Sequence, residues 1–284
     1  MKFDLKDYQN VLFPYAYNIL GSVEDAKDAV QDVISNYLAF YQNRKIDNLK
    51  GYLVKGVVNQ SINLRNKKSK SVSPQVSLPE PIATETAETN THLESIASYG
   101  MLILLDKLNV KERAVFMLKE AFNYSHQEIA EALGDNKENS RKILSRAKQK
   151  LSKFSSTQGK AKDLGIWAYI QKYVKAIRNR DVLGLEQLFT QDIVLVADGG
   201  NEIQVVRNVT EGKQAVIDLL LLVFEKFQQS HLMQITEVNH QPAILYWQED
   251  RLASCHVFSL NAQGEIYHIS AIVDPQKLQR IIPG

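Results

Sequence analysis

At 284 residues the chain exceeds one typical domain, and its 44% hydrophobic and 23% charged content excludes a disordered or fibrous protein. A net charge of +2 leaves no whole-molecule field for nucleic acid, so any DNA contact has to be local. A single cysteine, Cys255, excludes an intrachain disulfide and a cysteine-based metal centre, and neither a metal nor a cofactor is expected.

In chain order, the first signals are helical. Residues 8–20, 23–40 and 49–65 carry apolar positions at helical spacing, separated by Gly21-Ser22 and by a polar loop over 42–48. On the second helix, Asp25, Asp28 and Asp32 fall at i, i+3 and i+7 and share one face with Gln31 beside them, opposite Ala26, Ala29, Val30, Val33, Ile34 and Tyr37. Acids near a helix N-terminus are favourable on dipole grounds alone, and the alternative is a docking stripe for a basic partner. The third helix sets Tyr52, Asn59 and Asn63 among Lys50, Lys55 and Arg65, a mixture suited to stacking and hydrogen-bonding single-stranded bases. An ordinary amphipathic helix has the same periodicity.

Residues 71–92, rich in Ser, Thr, Pro and Glu, have the composition of a flexible linker between a helical domain at 1–70 and a second at 93–155. Within the second, Asn109 and Glu112 have capping-box spacing, as do Ser125 and Glu128. Ile129, Ala130 and Leu133 then form an apolar face, Gly134 suits a left-handed helix end, and Asp135 or Asn136 can cap the next helix. That helix buries Ile143, Leu144, Ala147 and Leu151 and is basic outside. The pattern is a helix-turn-helix with its second helix fit for a major groove.

From about residue 160 the texture changes to an α+β domain running to 284. Amphipathic helices at 166–177 and 182–189 precede a β-branched run at 193–197 that ends in Asp198-Gly199-Gly200. A helix at 213–227 and strands at 232–239, 243–248, 252–260 and 265–273 follow, with turns at 249–250 and 261–264. Helices followed by an antiparallel meander predict a curved sheet over helices. Charge is uneven, roughly +4 over residues 1–153 and roughly −2 over the rest. The opening ten residues lack a basic-then-apolar layout, and the longest apolar runs, 101–105 and 219–224, are too short for a bilayer, so a cytoplasmic location without membrane contact is expected.

The stretches NILGSVEDAKDAVQDVISNYL, LKGYLVKGVVNQSINLR and LDKLNVKERAVFMLKEAFNYSHQEIAEALGDNKENSRKILSRAKQKL resemble, in order and spacing, an extracytoplasmic-function sigma factor of bacterial RNA polymerase. Leu78-Pro79-Glu80-Pro81, Asp198-Gly199-Gly200 and Asp274-Pro275-Gln276-Lys277-Leu278 are similar to the WLPEP, DGGG and NPDKL motifs of the subgroup with a fused SnoaL-like domain of the nuclear-transport-factor-2 fold. Ser77 stands where that subgroup has Trp, Asn201 where it has a third Gly, Asp274 where it has Asn, and Asn63 where sigma factors usually have Asp.

What the resemblance implies is residue-specific. Two all-α sigma domains, region 2 and region 4, precede the α+β cone domain. Asp25, Asp28, Gln31 and Asp32 match the face that docks on the clamp helices of core RNA polymerase. The 42–50 loop, with Lys50, Asn59, Asn63 and Arg65, matches the part that holds the melted −10 element of promoter DNA. Asn136, Lys137, Asn139, Ser140, Arg141, Lys142, Ser145 and Arg146 match the −35 reader. Leu78, Pro79, Glu80 and Pro81 are expected to meet Asp198, Gly199, Gly200, Asp274, Pro275, Lys277 and Leu278 in a contact through which the tail regulates the sigma part in cis. No catalytic residue is expected. Two other readings remain: a ligand-responsive helix-turn-helix regulator, and a SnoaL-like isomerase or hydrolase fused to a DNA-binding module. For these the tail offers Asp192, Asp218, His231, His240, Tyr246, His256 and His268, and a small-molecule ligand in its cavity is a further candidate partner.

Overall fold

The protein is described by a computed structural model over residues 5–41, 46–69, 77–84, 93–152, 164–279 and 281. It divides into two compact units. The first comprises residues 1–75, 86–97 and 101–154, and the second residues 76–85, 98–100 and 155–284. Both helical segments therefore belong to one unit, and the described linker residues 77–84 group with the C-terminal domain. Residues 42–45 of the polar loop, residue 70, and 71–76 and 85–92 of the linker lie outside the described residues.

The first unit begins with α1 (Leu5–Leu20), α2 (Val23–Phe40) and α3 (Leu49–Ser69), packed together. Ser22 starts α2 as a cap, its hydroxyl accepting from the Asp25 amide at 3.2 Å. Leu12, Ala16, Tyr17, Ala26, Ala29, Val30, Leu53, Val57 and Val58 are its core. The second helical half is α4 (Tyr99–Leu105), whose first two residues group with the second unit, α5 (Val110–Glu120), α6 (His126–Leu133) and α7 (Lys137–Ser152). Both capping boxes form: Asn109 and Glu112 start α5, and Ser125 and Glu128 start α6.

The second unit contains α8 (Leu164–Asn179), α9 (Val182–Leu188), α10 (Lys213–Val223) with a π-helical continuation over Phe224–Gln228, six strands and a terminal turn of helix, α11 (Pro275–Leu278). The strands are β1 (Phe189–Asp198), β2 (Val209–Glu211), β3 (Leu232–Val238), β4 (Gln241–Gln248), β5 (Arg251–Leu260) and β6 (Ile266–Ile272), in the order β2-β1-β6-β5-β4-β3. The meander β3 to β6 is antiparallel, and β1 joins it parallel to β6. The core lies between the helices and one face of the sheet: Ile170, Tyr173 and Ile177 from α8, Val216, Ile217 and Leu220 from α10, and Ile244, Tyr246 and Phe258 from the strands. Leu245, Cys255, Val257 and Ile272 are buried as well, and α11 packs against β5.

Candidate nucleic-acid interface and linker site

The helix-turn-helix is built from its turn outward. Gly134 ends α6 at φ +64°, a left-handed conformation, and Asn136 caps α7 by accepting from the Asn139 amide at 2.8 Å. Asp135 accepts from Lys111 and Asn139 (both 2.7 Å), and its pKa falls to about 2, chiefly through the Lys111 bond and then the Asn136 and Asn139 donors. Nothing lies within 4 Å of a Cβ placed on Gly134, so the cost of a side chain there is torsional. Gly134→Ala is expected to destabilise the first unit by about 1–2 kcal/mol. Urea unfolding checks this, and unchanged stability would mean that the turn tolerates alanine by relaxing.

Lys137, Arg141, Lys142, Ser145 and Arg146 are exposed along one side of α7. Their field reaches His126, whose pKa is lowered first by desolvation and then by Lys119, Arg141, Lys137 and Lys148. Asn139 is tied to Asp135. Ser140 is a correction: it is 1% exposed, with its hydroxyl 3.0 Å from His126 Nδ1, so it locks α7 onto α6 and does not face solvent. Its place at spacing 4, 3, 4 with Leu144, Ala147 and Leu151 put it on the inner face.

On α2, Asp28, Gln31 and Asp32 are exposed, with Asp32 accepting from Gln60 at 3.0 Å. Asp25 is held by Lys68 through both oxygens, at 2.8 and 2.6 Å. On α3, Lys50 and Asn63 are exposed, whereas Asn59 and Arg65 are half-buried and hydrogen-bonded within the unit.

The linker site lies wholly within the second unit. Asp198, at the end of β1, is 2% exposed. One carboxylate oxygen accepts from the Leu78 amide at 2.7 Å and from Lys277 Nζ at 2.6 Å, and the other accepts from the Gly200 amide at 2.9 Å. Lys277 Nζ also donates to the Leu78 carbonyl at 2.6 Å and to the Ser77 hydroxyl at 3.0 Å. Both backbone polar groups of Leu78 are thus read by one buried ion pair, and its side chain is 6% exposed. Asp274 holds Lys277 in place: it caps α11 through the Gln276 amide at 2.9 Å, with Pro275 in the first turn and Leu278 buried. Gly200 is at φ +61°, and a Cβ there would overlap the Asp274 carboxylate. The Asp198, Gly199, Gly200 turn, Asp274–Leu278 and Leu78 are therefore brought together.

A second anchor carries no sequence motif. Ala83 bridges Val238 on the β3 edge, Thr84 N–H donates to the Glu237 carbonyl at 3.1 Å, and Asn239 N–H donates to the Ile82 carbonyl at 2.9 Å. Asn239 is fully buried, with Oδ1 accepting from the Ile82 amide at 2.8 Å and its carbonyl accepting from the Tyr99 amide at 3.2 Å. Asn239 and His240 form the β3–β4 turn at φ +48° and +58°, where Asn is among the few side chains that fit. Tyr99 hydroxyl donates to the Pro79 carbonyl at 2.7 Å, and Gly100 N–H to Gln241 Oε1 at 2.6 Å. An Asn between two apolar runs was the available signal.

Of the tail's other candidates, Tyr246 and His256 come together, ring centroids 4.6 Å apart, with Gln228 Nε2 3.4 Å from His256 Nε2. Burial lowers the His256 pKa to about 4, so its imidazole is neutral. His240 faces Glu237 at 3.6 Å, and Asp218 accepts from Gln214. Among the described residues no group of three or more His, Cys, Asp or Glu is placed to hold a metal ion, and no helix is long and apolar enough to cross a membrane.

Residues 102–151, which span the helix-turn-helix, match the Sigma-70, region 4 family. The chain is 25% identical over 278 residues to the probable ECF RNA polymerase sigma factor SigI of Mycobacterium tuberculosis, covering 94% of this chain and 91% of that one. The chain is thus similar to the extracytoplasmic-function sigma factors over most of its length. SigJ of the same organism is 21% identical over 222 residues, covering 76% and 70%. The crystal structure of the M. tuberculosis sigma factor SigJ has the same fold, with TM-score 0.78 over 97% of both chains at 19% identity. A helical first unit is thus combined with an α+β second unit in this chain.

Proposed function

We propose that this chain is a sigma factor of the extracytoplasmic-function type that divides its work among three surfaces of the first unit and is regulated through the second. The exposed stripe of Asp28, Gln31 and Asp32, with Asp25 at its edge, docks on core RNA polymerase. Lys50, Asn59, Asn63 and Arg65 hold the melted −10 element, since flipped bases need only stacking and hydrogen-bonding partners to stay captured. The exposed side of α7 reads the −35 element, with cations on phosphate and the N-terminal side chains at base edges. Supporting the last assignment is the exposure of Arg141, Lys142 and Arg146 on one side of a helix-turn-helix.

Regulation in cis is carried by the Asp198–Leu78–Lys277 junction. The linker joins α3 to α4, so a second unit that grips residues 77–84 sets how much free chain connects the two DNA-contacting halves. Tethering gives the site a high effective concentration of its own linker, and a modest intrinsic affinity suffices. The second unit then serves as a regulator and not as a catalyst. A small molecule entering beside Tyr246 and His256 would act by shifting the grip.

The −35 assignment is tested with promoter variants. Arg141→Ala is expected to change base preference at one position by about 1–3 kcal/mol, whereas Lys142→Ala weakens all sequences evenly and lowers the salt slope by about one. Binding titrations over a randomised upstream element at several salt concentrations separate the two. An even loss from Arg141→Ala would reassign that side chain to phosphate.

A further inference from the structure

Residues 164–284 carry ten Lys and Arg against thirteen Asp and Glu, yet four of the ten cations fall within the nine residues Lys172–Arg180. The packing of α8 sets where they point. Ile170, Tyr173, Ala176 and Ile177 turn into the core, which leaves Ala168, Gln171, Lys172, Lys175, Arg178 and Asn179 exposed on the opposite side. That outward face carries three cations and no acid. Carboxylates next to it in the fold are committed elsewhere: Asp181 caps α9 through the Gly184 amide at 2.9 Å, and Glu225 pairs with Arg180 at 3.1 Å. Lys172 is steadied by the Tyr169 ring, its ammonium 5.1 Å from the centroid. No carboxylate among the described residues pairs with Lys175 or Arg178. An ordinary solvated helix face mixes both signs, because like charges three and four residues apart repel. Here that repulsion stands uncompensated in an otherwise acidic domain, and an anionic partner relieves it.

We propose that the Lys172, Lys175 and Arg178 stripe binds the phosphates of the duplex upstream of the −35 element. The inference rests on the −35 assignment of α7. From Ser152, the end of α7, to Leu164, the start of α8, the chain takes twelve peptide steps, about 40 Å at full extension. That reach matches the rise of about twelve base pairs. Once α7 is seated, the stripe is therefore confined near the flanking DNA at a high effective concentration, and weak contacts are populated. From Lys172 to Arg178 the helix rises about 9 Å, the rise of two to three nucleotides of one strand. Three cations at that pitch neutralise neighbouring phosphates and release their counterions without reading bases. The second unit thus adds affinity for promoter DNA and leaves the choice of sequence to the first.

The test uses holoenzyme assembled from core polymerase and the full chain. It is titrated against two promoter duplexes, one ending at the upstream edge of the −35 element and one carrying about 20 further base pairs, more than the tether can span. The triple variant K172Q, K175Q, R178Q should bind the long duplex about tenfold or more weakly than the wild type in about 0.1 M salt, with a salt slope smaller by about two to three. On the short duplex the two should be equal. All three side chains are exposed, so the second unit stays folded, and upstream contacts of core polymerase are common to both proteins and cancel. A photo-crosslinker at Gln171→Cys reports the contact in a chain that keeps the three cations. Gln171 is exposed, whereas Cys255 is buried with its thiol pKa raised and does not label. The label should reach the upstream duplex. Equal affinity and slope for wild type and variant on the long duplex, or a crosslink to a polymerase subunit in place of DNA, would overturn the proposal. An upstream crosslink with −35 recognition unmoved by Arg141→Ala and Lys142→Ala would keep the stripe on DNA and discard the −35 assignment.

Discussion

Replacing Lys277 with methionine should release the linker from the second unit. The substitution keeps most of the apolar stem but leaves the Asp198 carboxylate, 2% exposed, without its cation. Removing one partner of a buried ion pair costs about 3–5 kcal/mol, because the remaining charge stays desolvated. Freeing residues 77–84 relieves that cost by letting water reach Asp198, so the loss should appear first as local release and only then as global unfolding. Hydrogen exchange at Ser77, Leu78, Glu80 and Ile82 should accelerate by about two to four orders of magnitude, the rate equivalent of that free energy. Faster exchange confined to Leu78 and Ser77, with Ile82 still protected, would show that the Asn239 anchor holds independently. Protection unchanged at all four amides would show that the ion pair does not hold the linker.

Reversing Asp28 and Asp32 together to lysine should abolish binding to core RNA polymerase, by about 100-fold or more, since like charges set against a complementary surface cost several kcal/mol. Both side chains are exposed, so folding should survive within about 1 kcal/mol. Asp25 is excluded from the variant because its two oxygens hold Lys68, and replacing it would disturb the α2–α3 packing. Fluorescence titration against core enzyme, paired with thermal unfolding, separates the outcomes. Wild-type affinity in a folded double variant would return these acids to a helix-dipole role.

What was legible in the sequence is what local chemistry encodes. The helix-turn-helix announces itself because Ser125, Glu128, Gly134 and Asn136 each do a job that few other residues do, at fixed spacing. The β3–β6 meander is readable for the same reason, through β-branched runs and turn residues. The parallel pairing of β1 with β6 is not, because it joins segments some seventy residues apart with no signal in either. Merging of the two helical segments into one unit depends on Arg113 and Asn18, residue types that read as surface and are fully buried here. Their burial is possible only because each finds partners on the other half. The linker contact was suggested by Leu78, Asp198 and Lys277 through resemblance, whereas Asn239 and Tyr99 carry no motif. Their role comes from a left-handed turn and a sheet edge, which exist only once the second unit has folded.

As a sigma factor, this chain is proposed to give RNA polymerase its choice of promoter. Run-off transcription on sheared genomic DNA, with core polymerase plus the full chain and sequencing of transcript 5′ ends, tests it most directly. Discrete start sites absent with core enzyme alone are expected, preceded by two shared upstream elements and lost with the Asp28 and Asp32 reversal. Transcripts no different from those of core enzyme alone, obtained with folded protein, would contradict it.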